Sequence, residues 1–215
     1  MYTAAKAGMR QNKKIIKLVI NMRIIGLTGG TGSGKSHVGS MLKERHAYIA
    51  DADVIAHEII EKEKPAYNEL VEHFGKGILD ENDNIIRRKL GDIVFSDKNE
   101  LEFLDECTHK YIVAEIKKLI EEITPQTDKY SIFIIDAPLL AEAGLVDICD
   151  SVWVIYADEK VRAERIMKRD GITYEQAEKR IASQKSWEEY KAMGAVIIDN
   201  SSDDDNIESQ LDALI

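Results

Sequence analysis

Residues 23–36 read Arg-Ile-Ile-Gly-Leu-Thr-Gly-Gly-Thr-Gly-Ser-Gly-Lys-Ser, and the rest of the chain is organised around them. The apolar run Ile24, Ile25 and Leu27 predicts a strand, the glycines a tight turn, and Lys35-Ser36 the start of a helix. Gly29–Ser36 matches the phosphate-binding pattern G-x-x-x-x-G-K-[ST] at every fixed position. Glycines without Cβ let backbone N–H groups turn around a phosphate chain, and the helix behind points its positive end at it. Lys35 is expected to neutralise the β- and γ-phosphates, and the Ser36 hydroxyl to ligate Mg²⁺. A glycine-rich turn that binds nothing is the plain alternative, and the strand–loop–helix context favours nucleotide binding over it.

Beyond the loop, Lys35–Arg45 predicts a helix with Val38, Met41 and Leu42 on one face. Ala47–Ala50 predicts a second strand, followed by Asp51-Ala-Asp53 and a helix over Val54–Glu63. Pro65 opens a helix to about Phe74, residues 80–84 form a polar loop, and Arg87–Phe95 and Leu101–Ile123 carry helical periodicity. Tyr130–Asp136 and Ser151–Ala157 are unbroken apolar runs of the kind that form buried parallel strands, and Ala195–Asp199 is a last strand. Between them, Asp158–Arg169 and Thr173–Lys191 predict charged helices, and Asp203–Asp205 places carboxylates at the start of a closing helix.

Five short strands with helices between them, and no hairpin signal, predict an α/β fold with a parallel sheet. About eighty residues separate the second strand from the third, far more than one crossover needs, so that span is expected to hold an inserted helical subdomain. The expected organisation is an extension over 1–21 and one domain over 22–215. Its core takes 22–56, 128–160 and 192–215, the helical insertion 57–127, and a lid 161–191. Residues 1–21 carry five Lys/Arg and no acidic residue, without the long apolar core or cleavage site of a secretory signal.

The chain has 215 residues, 44% of them hydrophobic, enough for one well-buried domain with an insertion. Its net charge of −10 argues against nucleic-acid and anionic-membrane partners. No stretch reaches transmembrane length, and two isolated cysteines, Cys107 and Cys149, suit a reducing, cytoplasmic interior. A phosphorylated ligand must then be met by local clusters of cations.

Among nucleotide-binding proteins, a regulatory GTPase fits poorly. No glycine has an aspartate three residues before it, and the Asn-Lys pair, Asn12-Lys13, precedes the domain. A small kinase needs a carboxylate for the acceptor hydroxyl, cations for an anionic acceptor, and a lid against water. Asp53, just past strand two, is the candidate carboxylate, and it is also placed to cap the helix that follows. Asp51 is equally placed to hold a magnesium-bound water, and spacing does not separate the two. Asp136 ends its strand as a Walker B aspartate does, holding magnesium through water, or simply terminates that strand.

Arg87-Arg88-Lys89 opens a helix where cations oppose the dipole, which favours an anionic ligand there. Arg162, Arg165 and Arg169 share one helix face, with Asp158–Arg162 as the plain surface pairing; Arg180 and Gln184 on the next helix can join the cluster. Such an arrangement suits a lid that clamps transferring phosphates.

These residues together resemble the dephospho-coenzyme A kinase family. The resemblance runs from Met22 to about Leu214. It rests on the phosphate loop, on Asp51-Ala-Asp-Val-Ile-Ala-His57, on Arg87-Arg-Lys-Leu-Gly-Asp-Ile-Val-Phe95 and on Asp136-Ala-Pro-Leu-Leu-Ala-Glu142. It continues through Arg165-x-x-x-Arg-Asp-Gly171, Arg180-Ile-Ala-Ser-Gln184 and Val196-Ile-Ile-Asp-Asn200. It implies a P-loop fold like that of nucleoside monophosphate kinases. It also implies ATP-dependent phosphorylation of the ribose 3′-hydroxyl of dephospho-coenzyme A, with Mg²⁺, as the last step of coenzyme A synthesis. By motif position, Asp53 is similar to the family's general base, with Lys35 and Arg165 as its catalytic companions.

The implied ATP site is Gly30, Thr31, Gly32, Ser33, Gly34, Lys35, Ser36, His37, Arg165 and Asn200. The implied acceptor site is Asp53, His57, Arg87, Arg88 and Leu90, and the implied magnesium site is Ser36 with Asp51 or Asp136 through water. Departures from the family pattern are His109-Lys110, Gly194-Ala195 and His37. A monomer is expected, with an oligomer left open. The competing readings are another small-metabolite or nucleoside monophosphate kinase, and an ATP-binding regulatory protein without turnover.

Overall fold

The computed structural model describes residues 22–193, 196–202 and 204–215. The extension expected over 1–21, the Gly194-Ala195 departure and Asp203 lie outside them. Five strands, β1 (Arg23–Thr28), β2 (Ala47–Asp51), β3 (Ile132–Asp136), β4 (Ser151–Tyr156) and β5 (Val196–Asp199), form one sheet. Its order is β2-β3-β1-β4-β5, and every pairing is parallel. The predicted parallel α/β sheet is therefore present, with β1 in the middle.

Period-two alternation explains why the strands read as continuous apolar runs. Ile25, Leu27, Ile132, Ile134, Trp153 and Ile155 point to one face, where they pack with Val38 and Leu42 of α1 (Lys35–Glu44) and Ile207 and Leu211 of α9 (Asp204–Asp212). Phe133, Ile135, Val152 and Val154 point to the other face, packed with helices between β2 and β3. Those are α2 (Ala52–Glu58), α3 (Pro65–Phe74), α4 (Arg87–Val94) and α5 (Lys98–Ile123). The long α5 buries Ile112, Ile116 and Ile120, three residues one turn apart, toward that face. The helices between β2 and β3 thus form a layer that closes one face of the sheet. Pro65 sits at the first position of α3, where its missing N–H breaks no helical bond.

Two predicted helices differ in detail. The second starts at Ala52 rather than Val54 because Asp51, not Asp53, caps it; Asp51 Oδ1 accepts from the N–H groups of Asp53 (2.9 Å) and Val54 (3.2 Å). The charged stretch after Asp158 forms α6 (Glu159–Asp170), α7 (Tyr174–Ala182) and α8 (Trp187–Ala192), so Thr173–Lys191 is two helices rather than one. The break has a local cause. Ser186 and Glu189 form a capping box that starts a new helix four residues after the previous one ends.

The stretch expected to be a lid packs a small core of its own, Ala163, Ile166, Ala177 and Ile181. Its last helix does not stand apart from the rest. Tyr190 is buried in the main core, and Trp187 packs on Tyr156 of β4 with ring centroids 4.5 Å apart and planes tilted by 44°.

Candidate active site

The phosphate loop runs from β1 into α1 at the carboxyl edge of the sheet, where open α/β folds bind ligands. Gly34 adopts φ +87°, in the left-handed region, and a Cβ there would lie 2.0 Å from Asn200 Nδ2. Only glycine meets both demands. The N-terminus of α1 has no side-chain cap and no acidic residue in its first turn. Among the described residues, the Lys35 and Ser36 N–H groups find no partner, which leaves them available to an anion.

The loop lines a cavity of about 500 Å³ together with Asp53, Pro138, Arg165, Ile166, Arg169 and Gln184. Strand register sets two further carboxylates side by side at the same sheet edge. Asp51 and Asp136 are paired positions on adjacent parallel strands, so both carboxylates leave the sheet at one edge. Lys35 Nζ bonds Asp136 Oδ1. Asp136 is nearly buried, and that burial raises its carboxyl against the opposing Lys35 ammonium, with Asp51 and Asp53 adding to the rise. Because Asp51 does the capping, the Asp53 side chain forms no hydrogen bond or ion pair among the described residues.

The opposite bank is built from α6 and the turn after α7. Arg165 Nη1 donates to the carbonyls of Gly32 (3.4 Å) and Ser33 (3.3 Å), and its Nη2 to Asn200 Oδ1 (3.3 Å). Asn200 is 2% exposed and donates to Ser33 O at 2.7 Å, so it props the loop from behind rather than facing the cavity. Arg162 does not take the plain surface pairing with Asp158; it donates through Nε to Thr31 O at 2.9 Å, while Asp158 accepts from Tyr156 Oη. Burial lowers the Arg162 guanidinium from its ordinary value. Gln184 joins the cluster as expected, but Arg180 does not. Asp170 instead takes both Arg169 and Arg180. His37 reaches Asp204 at 2.8 Å rather than the loop.

Of the residues expected to meet the acceptor, His57 and Arg87 line a second cavity of about 470 Å³ with Ile60, Glu61, Lys62, Asn84 and Ile85. Arg87 and Arg88 are exposed at the uncapped start of α4, and neither pairs with another described residue. Leu90 is buried in the core and lines neither cavity. Sequence reasoning missed the Lys185–Glu142 ion pair across the mouth, and the contact of Arg162 with Thr31. Neither pair has a spacing that a linear pattern can reveal.

Mg²⁺ is implied by the nucleotide reading, and the donor set suits it. The exposed Ser36 hydroxyl and the carboxylates of Asp51, Asp53 and Asp136 are hard oxygen donors at one edge. Among the described residues, no three His, Cys, Asp or Glu side chains are grouped as a metal cage.

A five-stranded parallel sheet, a phosphate loop and a carboxylate in the same cavity define a P-loop kinase. The model of the family described as dephospho-CoA kinase matches residues 23–206. The chain is 40% identical over 188 residues to a dephospho-CoA kinase of Carboxydothermus hydrogenoformans, covering 87% of this chain and 90% of that one. It is 44% identical over 183 residues to that of Fusobacterium nucleatum, covering 85% and 92%. Among solved structures, it is similar to the Campylobacter jejuni dephospho-CoA kinase, with TM-score 0.65, 27% identity and coverage of 89% and 94%. It is also similar to Thermus thermophilus TT1252, with TM-score 0.75, 25% identity and coverage of 90% and 96%. The chain belongs to the dephospho-CoA kinase family.

Proposed function

We propose that this chain transfers the γ-phosphoryl group of Mg-ATP to the ribose 3′-hydroxyl of dephospho-coenzyme A, giving coenzyme A and ADP, the last step of coenzyme A synthesis. The observation that carries the reading is Asp53, whose free carboxylate lines the same cavity as the phosphate loop. A binder without turnover has no use for a hydroxyl-directed carboxylate there. In a loose phosphoryl-transfer transition state, Asp53 orients the hydroxyl and takes its proton late, so an ordinary carboxylate suffices.

Lys35 and the loop N–H groups hold the β- and γ-phosphates, with Arg165 above them. Mg²⁺, when bound, screens charge on the phosphate chain, and Ser36 is its protein ligand, with Asp51 or Asp136 holding its waters. Asp53 and His57 lie one turn apart on α2, so that helix leads from the transfer site toward the second cavity. His57 and Arg87 in that cavity, with exposed Arg88 next to Arg87 in the chain, suit the diphosphate of a long anionic acceptor. This arrangement also separates the reading from a nucleoside monophosphate kinase, whose short acceptor needs no second cavity. No helix among the described residues is long and apolar enough to cross a membrane. We take the chain to act in the cytoplasm, as a monomer and without nucleic-acid partners.

The test is ADP release by purified protein with Mg-ATP and dephospho-coenzyme A, beside nucleoside monophosphates and small sugars. Turnover with dephospho-coenzyme A alone, abolished by chelating Mg²⁺, is expected. Turnover preferring another acceptor contradicts the assignment, and tight ATP binding without turnover on any acceptor favours a regulatory protein.

A further inference from the structure

The backbone of Thr31, at the outer limb of the phosphate loop, is held at both ends by the lid. Its N–H donates to Gln184 Oε1 at 2.6 Å, and its carbonyl accepts from Arg162 Nε at 2.9 Å. Arg162 Nη2 also donates to Gln184 Oε1 at 3.3 Å, closing a three-membered cluster between α6, the turn after α7 and the loop. The approach depends on Gly30, since a Cβ there would meet Arg162 Nη2 at 2.5 Å. The next residue, Lys185, bonds Glu142 in the loop after β3. One short turn therefore joins the donor bank of the cavity to the far bank.

Both acceptors of Arg162 are neutral oxygens, and no carboxylate pairs with it among the described residues. The cluster leaves the Lys35 and Ser36 N–H groups unused. It grips the loop without competing for an anion at the start of α1.

We propose that Arg162 and Gln184 are positioning residues that register the closed lid on the phosphate loop through the Thr31 backbone. Arg165 sits one turn along α6 from Arg162, so fixing Arg162 also fixes the cation above the phosphates. A lid registered in this way keeps water from the γ-phosphate while the acceptor is awaited. The catalytic readout rests on the kinase reading above.

The experiment compares ADP release without acceptor to ADP release with dephospho-coenzyme A, and measures ATP affinity by Trp187 fluorescence. Gln184→Ala and Arg162→Ala are each expected to raise the uncoupled share and weaken ATP binding by about three- to tenfold, the range of one or two lost hydrogen bonds. The double variant should add little, since both side chains act on one residue. Gln184→Glu keeps an acceptor oxygen for both donors and should restore a ratio near that of the unaltered chain. A general loss of lid stability would lower total activity without changing that ratio. An unchanged uncoupled share in both single variants, additive effects in the double, or a Gln184→Glu ratio as high as that of Gln184→Ala overturns the proposal. If the unaltered chain does not turn over dephospho-coenzyme A, the kinase reading fails instead, and the ATP affinities decide the lid contact alone.

Discussion

The two banks of the cavity are built in opposite ways. The phosphate loop is one unbroken stretch, Gly29–Ser36, that works through its backbone, one lysine and one hydroxyl. The lid bank collects single side chains, Arg162, Arg165 and Gln184, from helices and turns that are distant from the loop in sequence, with Asn200 supporting it from beneath. A backbone site is fixed as soon as its strand and helix form. A side-chain site exists only once α6 and the turn after α7 pack against the loop, so it depends on tertiary contacts that the backbone site does not need. Chemistry should therefore fail abruptly on the loop side and in graded fashion on the lid side.

The largest expected effect tests the first half of that contrast. Lys35→Ala removes the phosphate-facing cation and leaves nearly buried Asp136 without its partner, and kcat should fall on the order of 10³-fold. Steady-state ADP release measures it, and a loss below tenfold would remove Lys35 from the chemistry. Next comes Asp53→Asn, which keeps shape but not basicity. Transfer should fall on the order of 10²-fold with ATP affinity unchanged, checked by single-turnover kinetics beside ATP titration. A matching loss in Asp51→Asn, with no loss of helix stability, would exchange the two assignments.

Arg165→Ala tests the graded side. It should reduce kcat/KM for ATP by about twentyfold, the worth of charged hydrogen bonds. An effect as large as that of Lys35→Ala would mean that the lid is not the adjustable bank.

The smallest effect concerns the far end of the lid. The Asp170 carboxyl is held down to about 2, chiefly by its hydrogen bonds to Arg169 and then by Arg180. Its folded value lies below the unfolded one, so its stabilisation is complete above pH 3.8 and is lost as pH falls toward 2. Carboxyl NMR titration should find that low midpoint and an upward move in Arg180→Ala, with phosphoryl transfer little altered.

Legibility in the sequence followed the same division. The loop was readable because G-x-x-x-x-G-K-S specifies a local conformation and a local chemistry together. The sheet was readable because strands buried on both faces leave runs such as Ile132–Asp136 with no polar interruption. Asp51 and Asp53 lie two residues apart, and either residue type caps a helix. Which of them caps the helix was decided only when its start was seen at Ala52. The break between α7 and α8 was written in Ser186-x-x-Glu189, but charged helical periodicity on both sides masked it. Arg162 and Arg180 were indistinguishable as lid cations. Which of them met the loop and which met Asp170 depends on how three helices pack.

The most direct measurement of the central claim is ³¹P NMR of the product formed from Mg-ATP and dephospho-coenzyme A, with site identification by coupling to the ribose protons. A new phosphomonoester at the ribose 3′ position, absent with Asp53→Asn over the same interval, is the predicted result. A phosphate on any other hydroxyl, or only inorganic phosphate from hydrolysis, would contradict it.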